Sequence, residues 1–240
     1  MSGTLEKRLD EAARQGKKYI LYRREDGFWR IMACRDFWCV RTGEFGGLIE
    51  SEKNLDQKGD CWIRSGAIAA GNARVYGDAL VNNALIYGNA RIYGKSMVIG
   101  TNAKDIVHIG GNARVYGHAF VKDEAVVRDF AAVNGAAVVS GNAVVCGRAS
   151  IEATAHVVGS AMVTDNAVVK GNAFVEWSAT VGGSALVADN ARVTDNAVAC
   201  GNVKLMAGCA VHGKTFLQGR QRIGGNVVLG LGGDEWRLVN

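Results

Sequence analysis

A six-residue spacing governs the chain after residue 60. From Ala113 an alanine recurs every six residues through Ala197, fifteen times without a miss. Two residues after each alanine sits an aliphatic side chain, from Val115 through Ile151 to Val193. The series continues with looser small positions at Val203, Cys209 and Thr215, and keeps its aliphatics at Leu205, Val211, Leu217, Ile223 and Leu229. Upstream the same unit stands at Ala73-Arg74-Val75, Ala79-Leu80-Val81 and Ala90-Arg91-Ile92. Residues two apart on a strand share a side, so the small and the aliphatic residue point together into one interior. The next two positions are usually Gly with Asn or Asp, which tolerate the left-handed backbone of a tight corner. Strands and corners of equal length close into a triangular coil of three units, and stacked coils pair strand over strand. The spacing therefore predicts an all-β solenoid, a parallel β-helix of hexapeptide repeats. Cys61 to Leu229 gives nine to ten triangular coils, a prism about 45 Å long at ~4.8 Å per coil. Two single-residue deletions, near 82–84 and 99–106, interrupt the spacing. On this reading they shorten corners, and no loop projects from the coils.

Composition agrees. The 240 residues contain no proline, as expected where nearly every backbone N–H is used in a ladder. No apolar run reaches the roughly 18 residues of a bilayer span, and no signal peptide is evident, so no membrane partner and a cytoplasmic location are expected. The cysteines (Cys34, Cys39, Cys61, Cys146, Cys200 and Cys209) form no C-x-x-C pair, which argues against a zinc knuckle.

Residues 1–60 differ. Leu5, Leu9, Ala12 and Ala13 make a short amphipathic helical pattern. Tyr19–Arg24 and Phe28–Cys34 flank Asp26-Gly27, a hairpin signal, and Phe37–Arg41 reads as a third strand. The expectation is a small N-terminal α+β cap (1–60) over the prism (61–229). A C-terminal cap (230–240) then closes the other end with Trp236 and Leu238.

Gly46-Gly47-Leu48-Ile49-Glu50-Ser51-Glu52, Asn54-Leu55 and Gly59-Asp60-Cys61-Trp62-Ile63 lead into Gly71-Asn72-Ala73-Arg74-Val75-Tyr76-Gly77. This run resembles the YdcK-like bacterial and prophage hexapeptide-repeat proteins over the junction and the whole repeat, with Leu48 where that family tends to carry Trp. The resemblance implies a left-handed β-helix and the fold-based label of acyltransferase, which does not by itself establish chemistry.

Acyltransferases resembling this fold place a His general base beside a projecting loop, at clefts between subunits. Among the four His, the weak catalytic candidates are His118 and His156. His156 and His212 share a face about three coils apart, and His108 and His118 lie ten residues apart, so no close metal-ligand pair is indicated. One outward column carries no charge over six coils: Val126, Val144, Met162, Thr180, Val198 and Phe216, a candidate interface. The same face is expected to carry a candidate ligand or partner patch of Arg74, Tyr76, Arg91, Tyr93 and His108. Lys204, Lys214, Arg220 and Arg222 form a candidate anion patch in a stretch without acids.

The leading expectation is a non-catalytic rod presenting an apolar face, as a homo-oligomer (trimer or dimer) or toward a host or phage protein, with no cofactor. The alternative is a CoA-dependent acyltransferase using acyl-CoA at the clefts of a trimer. An anion or nucleic-acid binder ranks third.

Overall fold

The computed structural model describes residues 2–230 and 237–239. Helix α1 (Ser2–Arg14) precedes an antiparallel hairpin, β1 (Tyr19–Arg23) and β2 (Trp29–Ala33), as the apolar pattern and Asp26-Gly27 predict. Leu9 and Ala12 of the helix pack on Met32 and Cys34.

The third N-terminal strand is not Phe37–Arg41, where only a single bridge joins Phe37 to Val40, but β3 (Phe45–Ile49). It pairs antiparallel with β2 and parallel with Ile68–Ala69, carrying the hairpin onto the first coil. Its two glycines allow that close approach. A Cβ on Gly46 would stand 2.5 Å from the Ile63 carbonyl oxygen, and one on Gly47 would stand 2.4 Å from that of Ala67.

The solenoid follows as a triangular stack of about ten coils. Its first face runs from Ile68–Ala69 through Val126–Val127 and Met162–Val163 to Phe216–Gln218. The second face runs from Trp62–Ile63 through His156–Val157 to Val228–Leu229, and the third from Arg74–Val75 through Ser150–Ile151 to Arg222–Ile223. Inside, the repeated alanines and aliphatics are fully buried, as at Ala143, Val145, Ala161 and Val163. Each aliphatic contributes about 1.5–3 kcal/mol of burial, offset by ordering of the chain. At the other end the backbone of Arg237–Val239 adds a rung beside Phe216–Gln218. Trp236, expected in that cap, lies outside the described residues.

Corners adopt positive φ. Where glycine is absent, aspartate often takes its place: Asp123, Asp129, Asp165, Asp189 and Asp195 have φ of 65°, 65°, 59°, 60° and 62°. Each carboxylate accepts a hydrogen bond from a backbone N–H one coil further on, at Gly141, Gly147, Gly183, Ala207 and Gly213 (2.8–3.0 Å). The left-handed conformation is thus offset by a clamp between coils.

One irregularity corrects the sequence reading. Met97 pairs with Leu80 on one side and Phe120 on the other, so one coil spans 17 residues and the next 23. The break near 82–84 is a one-residue deletion. The break at 99–106 is a five-residue insertion, which leaves the same remainder on division by six. Residues 100–106 form a loop between the second and first faces, tied down by the Asn83 amide on the carbonyls of Gly100 and Asn102 and by the Thr101 hydroxyl on Asp123. Burial alone would raise the Asp123 pKa; hydrogen bonds from Thr101 and the Gly141 N–H outweigh it and hold the carboxyl below its ordinary range.

The first coil ends in carbonyls that a preceding coil would have paired. Within the prism, the Gly77 oxygen accepts from the Cys61 N–H and the Ala79 oxygen from the Trp62 N–H. The matching carbonyls one coil earlier, Gly59 and Cys61, both face the ammonium of Lys18 (3.3 and 2.9 Å). Lys18 is fully buried, with its Nζ 5.7 Å from the Phe37 ring centroid. On the third face, Asn54 spends its own N–H on Ser51 in a 3-10 turn, and its side-chain amide donates to Gly71 and Ala73 carbonyls instead. On the first face β3 supplies ordinary backbone donors. Three faces are closed by three devices: a lysine, an asparagine and a strand.

Candidate interaction faces

The register confirms the proposed column as physical neighbours. His108, Val126, Val144, Met162, Thr180, Val198 and Phe216 pair in succession up the first face. The column also extends toward the N-terminus through Leu85, Ile68 and Leu48. Between residues 142 and 200 the positions flanking it on each strand are Asn142 and Cys146, Ser160 and Thr164, Ser178 and Gly182, Asn196 and Cys200. No strand or flanking position on this stretch bears a charge; the nearest carboxylates, Asp165 and Asp195, are spent on the corner clamps. Met162 is 42% exposed at its centre.

Trp177 stands at the corner bordering this stretch and was missed in the sequence reading. It occupies the place held by Gly141 and Gly159 on the preceding coils and by Asp195 on the next, with φ of 60°, and is 67% exposed. A left-handed bulky residue costs roughly 1–2 kcal/mol. Among the described residues its indole has no ring partner to offset that cost. The visible signal was a tryptophan in the glycine slot of a six-residue unit.

The polar-aromatic patch divides. His108 lies on the first face, directly paired with Val126. Arg74 and Arg91 lie instead on the third face, where they pair with each other and with Arg114. Tyr76 and Tyr93 follow them at the corner toward the second face, not on the Val126 face. Their rings stack 4.8 Å apart at 4°, and Tyr116 continues the stack at 4.9 Å and 2°. The 23-residue coil hid Tyr116 and Arg114 from an eighteen-residue ruler. Burial, followed by the neighbouring Tyr76 and Tyr116, pushes the Tyr93 phenol up against the pull of Arg114 and Arg91.

The histidines are scattered. His118 is exposed at a corner of the third face. His156 lies on the second face, its ring stacked on Phe174 (4.8 Å, 11°), and Arg192 covers the same Phe174. His108 directly follows the projecting loop at 100–106. Among the described residues no three His, Cys, Asp or Glu gather as metal ligands, and no helix is long and apolar enough to cross a membrane.

The anion patch is brought together in part. Lys204 pairs with Arg222 on the third face, and both line a depression with Arg220. Lys214 lies at a different corner, ahead of Phe216 on the first face, so it does not join them.

No protein-family model matches this chain, and no curated protein matches it.

Proposed function

We propose that this chain is a YdcK-like hexapeptide-repeat protein that acts without catalysis, as a rigid rod self-associating through its first face. The observation that carries this is Trp177: a strained, exposed indole beside four coils of uncharged surface centred on Met162. Strain that no ring partner among the described residues offsets is explained when the indole is buried against a second copy. A face without charge meets its own image without like-charge repulsion.

Light scattering over a concentration series tests it. The wild type should form a dimer or trimer, and Met162→Glu should weaken the assembly with folding intact. Trp177→Gly should do the same, and at concentrations where both proteins are monomeric it should melt higher than the wild type, because glycine accepts the positive φ. A monomeric wild type, or an assembly indifferent to both substitutions, would overturn the reading.

A second reading, a CoA-dependent acyltransferase at the clefts of a trimer, has one observation in its favour. The inserted loop at 100–106 ends one residue before His108, and acyltransferases resembling this fold set a loop beside their catalytic His. It moves the candidate base from His118 and His156 to His108. Under this reading acyl-CoA raises the melting temperature of the wild type, and His108→Gln abolishes acyl transfer. A trimer with no such thermal shift counts against it.

A further inference from the structure

We infer that the first three coils of the third face bind an acidic polysaccharide laid along the prism axis. One unit recurs there three times: Gly71-Asn72-Ala73-Arg74-Val75-Tyr76-Gly77, Gly88-Asn89-Ala90-Arg91-Ile92-Tyr93-Gly94 and Gly111-Asn112-Ala113-Arg114-Val115-Tyr116-Gly117. The register stacks Arg74, Arg91 and Arg114 directly over one another, at ~4.8 Å per coil. All three are exposed, and among the described residues none forms an ion pair. Like charges on adjacent rungs destabilise a sheet, so the column is held at a cost that an anion would relieve.

Two further columns run beside the arginines. On one side Asn72 donates its amide to Asn89 (3.1 Å) and Asn89 to Asn112 (3.0 Å), which leaves one N–H of each amide for another partner. On the other side stand the stacked phenols of Tyr76, Tyr93 and Tyr116. Lys53 extends the positive surface at the N-terminal end, sharing a depression with Arg74 and Arg91.

Identical groups at equal rise fit a ligand that repeats by translation, with one anionic group and several hydroxyls per unit. Carboxylates meet the guanidinium forks, and hydroxyls meet the amides and phenols. Single-stranded nucleic acid binding needs a succession of open aromatic faces. Here the tyrosines cover one another, and the other exposed rings beside the asparagine column stand apart: Phe130, 57% exposed with Arg148 over one face, and Tyr87, 37% exposed against Gly110. Separated platforms suit sugar rings better than a run of stacked bases.

Calorimetric titration of the whole chain with oligogalacturonate tests this, with neutral dextran and a thymidine oligonucleotide as comparators. Oligogalacturonate should bind, more weakly as salt rises, and dextran should not. Arg91→Ala should weaken binding about tenfold or more, since it removes a charge-assisted bond. The same substitution should leave the melting temperature unchanged or higher, because it relieves repulsion; a merely structural arginine would lower it. Three results would overturn the inference: no binding at low salt, equal or tighter binding of the oligonucleotide, or full binding by the Arg74→Ala, Arg91→Ala, Arg114→Ala triple variant. The inference uses a different face from self-association, so either can fail alone.

Discussion

The middle of the prism and its N-terminal end satisfy the same backbone groups by opposite means. In the middle, the carbonyls of each coil find their donors on the preceding one, and side chains supply bulk inside and clamps at the corners. At the end the preceding coil is missing, and side chains take over much of its role: Lys18 on the second face, and Asn54 beside the Asp56 N–H on the third. The middle is therefore redundant, each coil resembling its neighbours, whereas the end rests on residues with no substitute.

That contrast can be attacked from both sides. The largest effect is expected at Val163→Asp, which buries an unpaired charge in the middle. It should cost about 4 kcal/mol or more and unfold the central coils, read as insolubility or loss of the thermal transition. Soluble protein with unchanged melting would contradict the inward register.

Lys18→Met comes next. It leaves the backbone carbonyls of Lys58, Gly59 and Cys61 without this donor, for roughly 2–4 kcal/mol. The loss should be local: hydrogen exchange accelerates around Cys61–Ile63, and the amides near Val145 and Val163 keep their protection. Uniform acceleration would mean that the end is not a separate weak point.

Alkaline pH should probe the end selectively. Tyr19 donates its phenol to the Leu55 carbonyl (2.6 Å). Burial, then the nearby Glu52, Cys61 and Asp56, holds its pKa above the ordinary phenol value. A group whose folded pKa is raised contributes stability below its unfolded value, near 10, and loses it as pH climbs toward the folded one. Melting temperature should fall above pH ~10 in the wild type and fall less in Tyr19→Phe, which begins lower because it lacks the hydrogen bond. Parallel curves would remove Tyr19 as the cause.

The smallest change is expected at Asp165→Gly. Losing the hydrogen bond to the Gly183 N–H is offset by easier positive φ, for a net shift within about 1 kcal/mol. A large loss would show that the corner clamps carry the middle after all.

The coils were legible because a six-residue period repeats its evidence many times over. The end was legible only in outline. Lys18, beside a hairpin, reads as a solvated charge until the carbonyls that surround it are placed. The third strand was assigned to the aromatic run Phe37–Arg41 on propensity, yet Phe45–Ile49 takes that position because only its glycines admit Ile63 and Ala67 so close. The apolar column was readable for the same reason as the coils. Of the arginine and tyrosine columns only the first two members were readable, because the 23-residue coil breaks the spacing that would have aligned Arg114 and Tyr116 with them.

The insertion at 100–106 behaves as a point defect rather than a dislocation. Leu80, Met97 and Phe120 remain in line across it, so the extra residues are expelled sideways and the stack on either side registers no fault. Chain length at a corner is thus decoupled from the order of the lattice. A segment of foreign sequence spliced into 100–106 should be displayed at a fixed height along the rod, leaving every rung where it was.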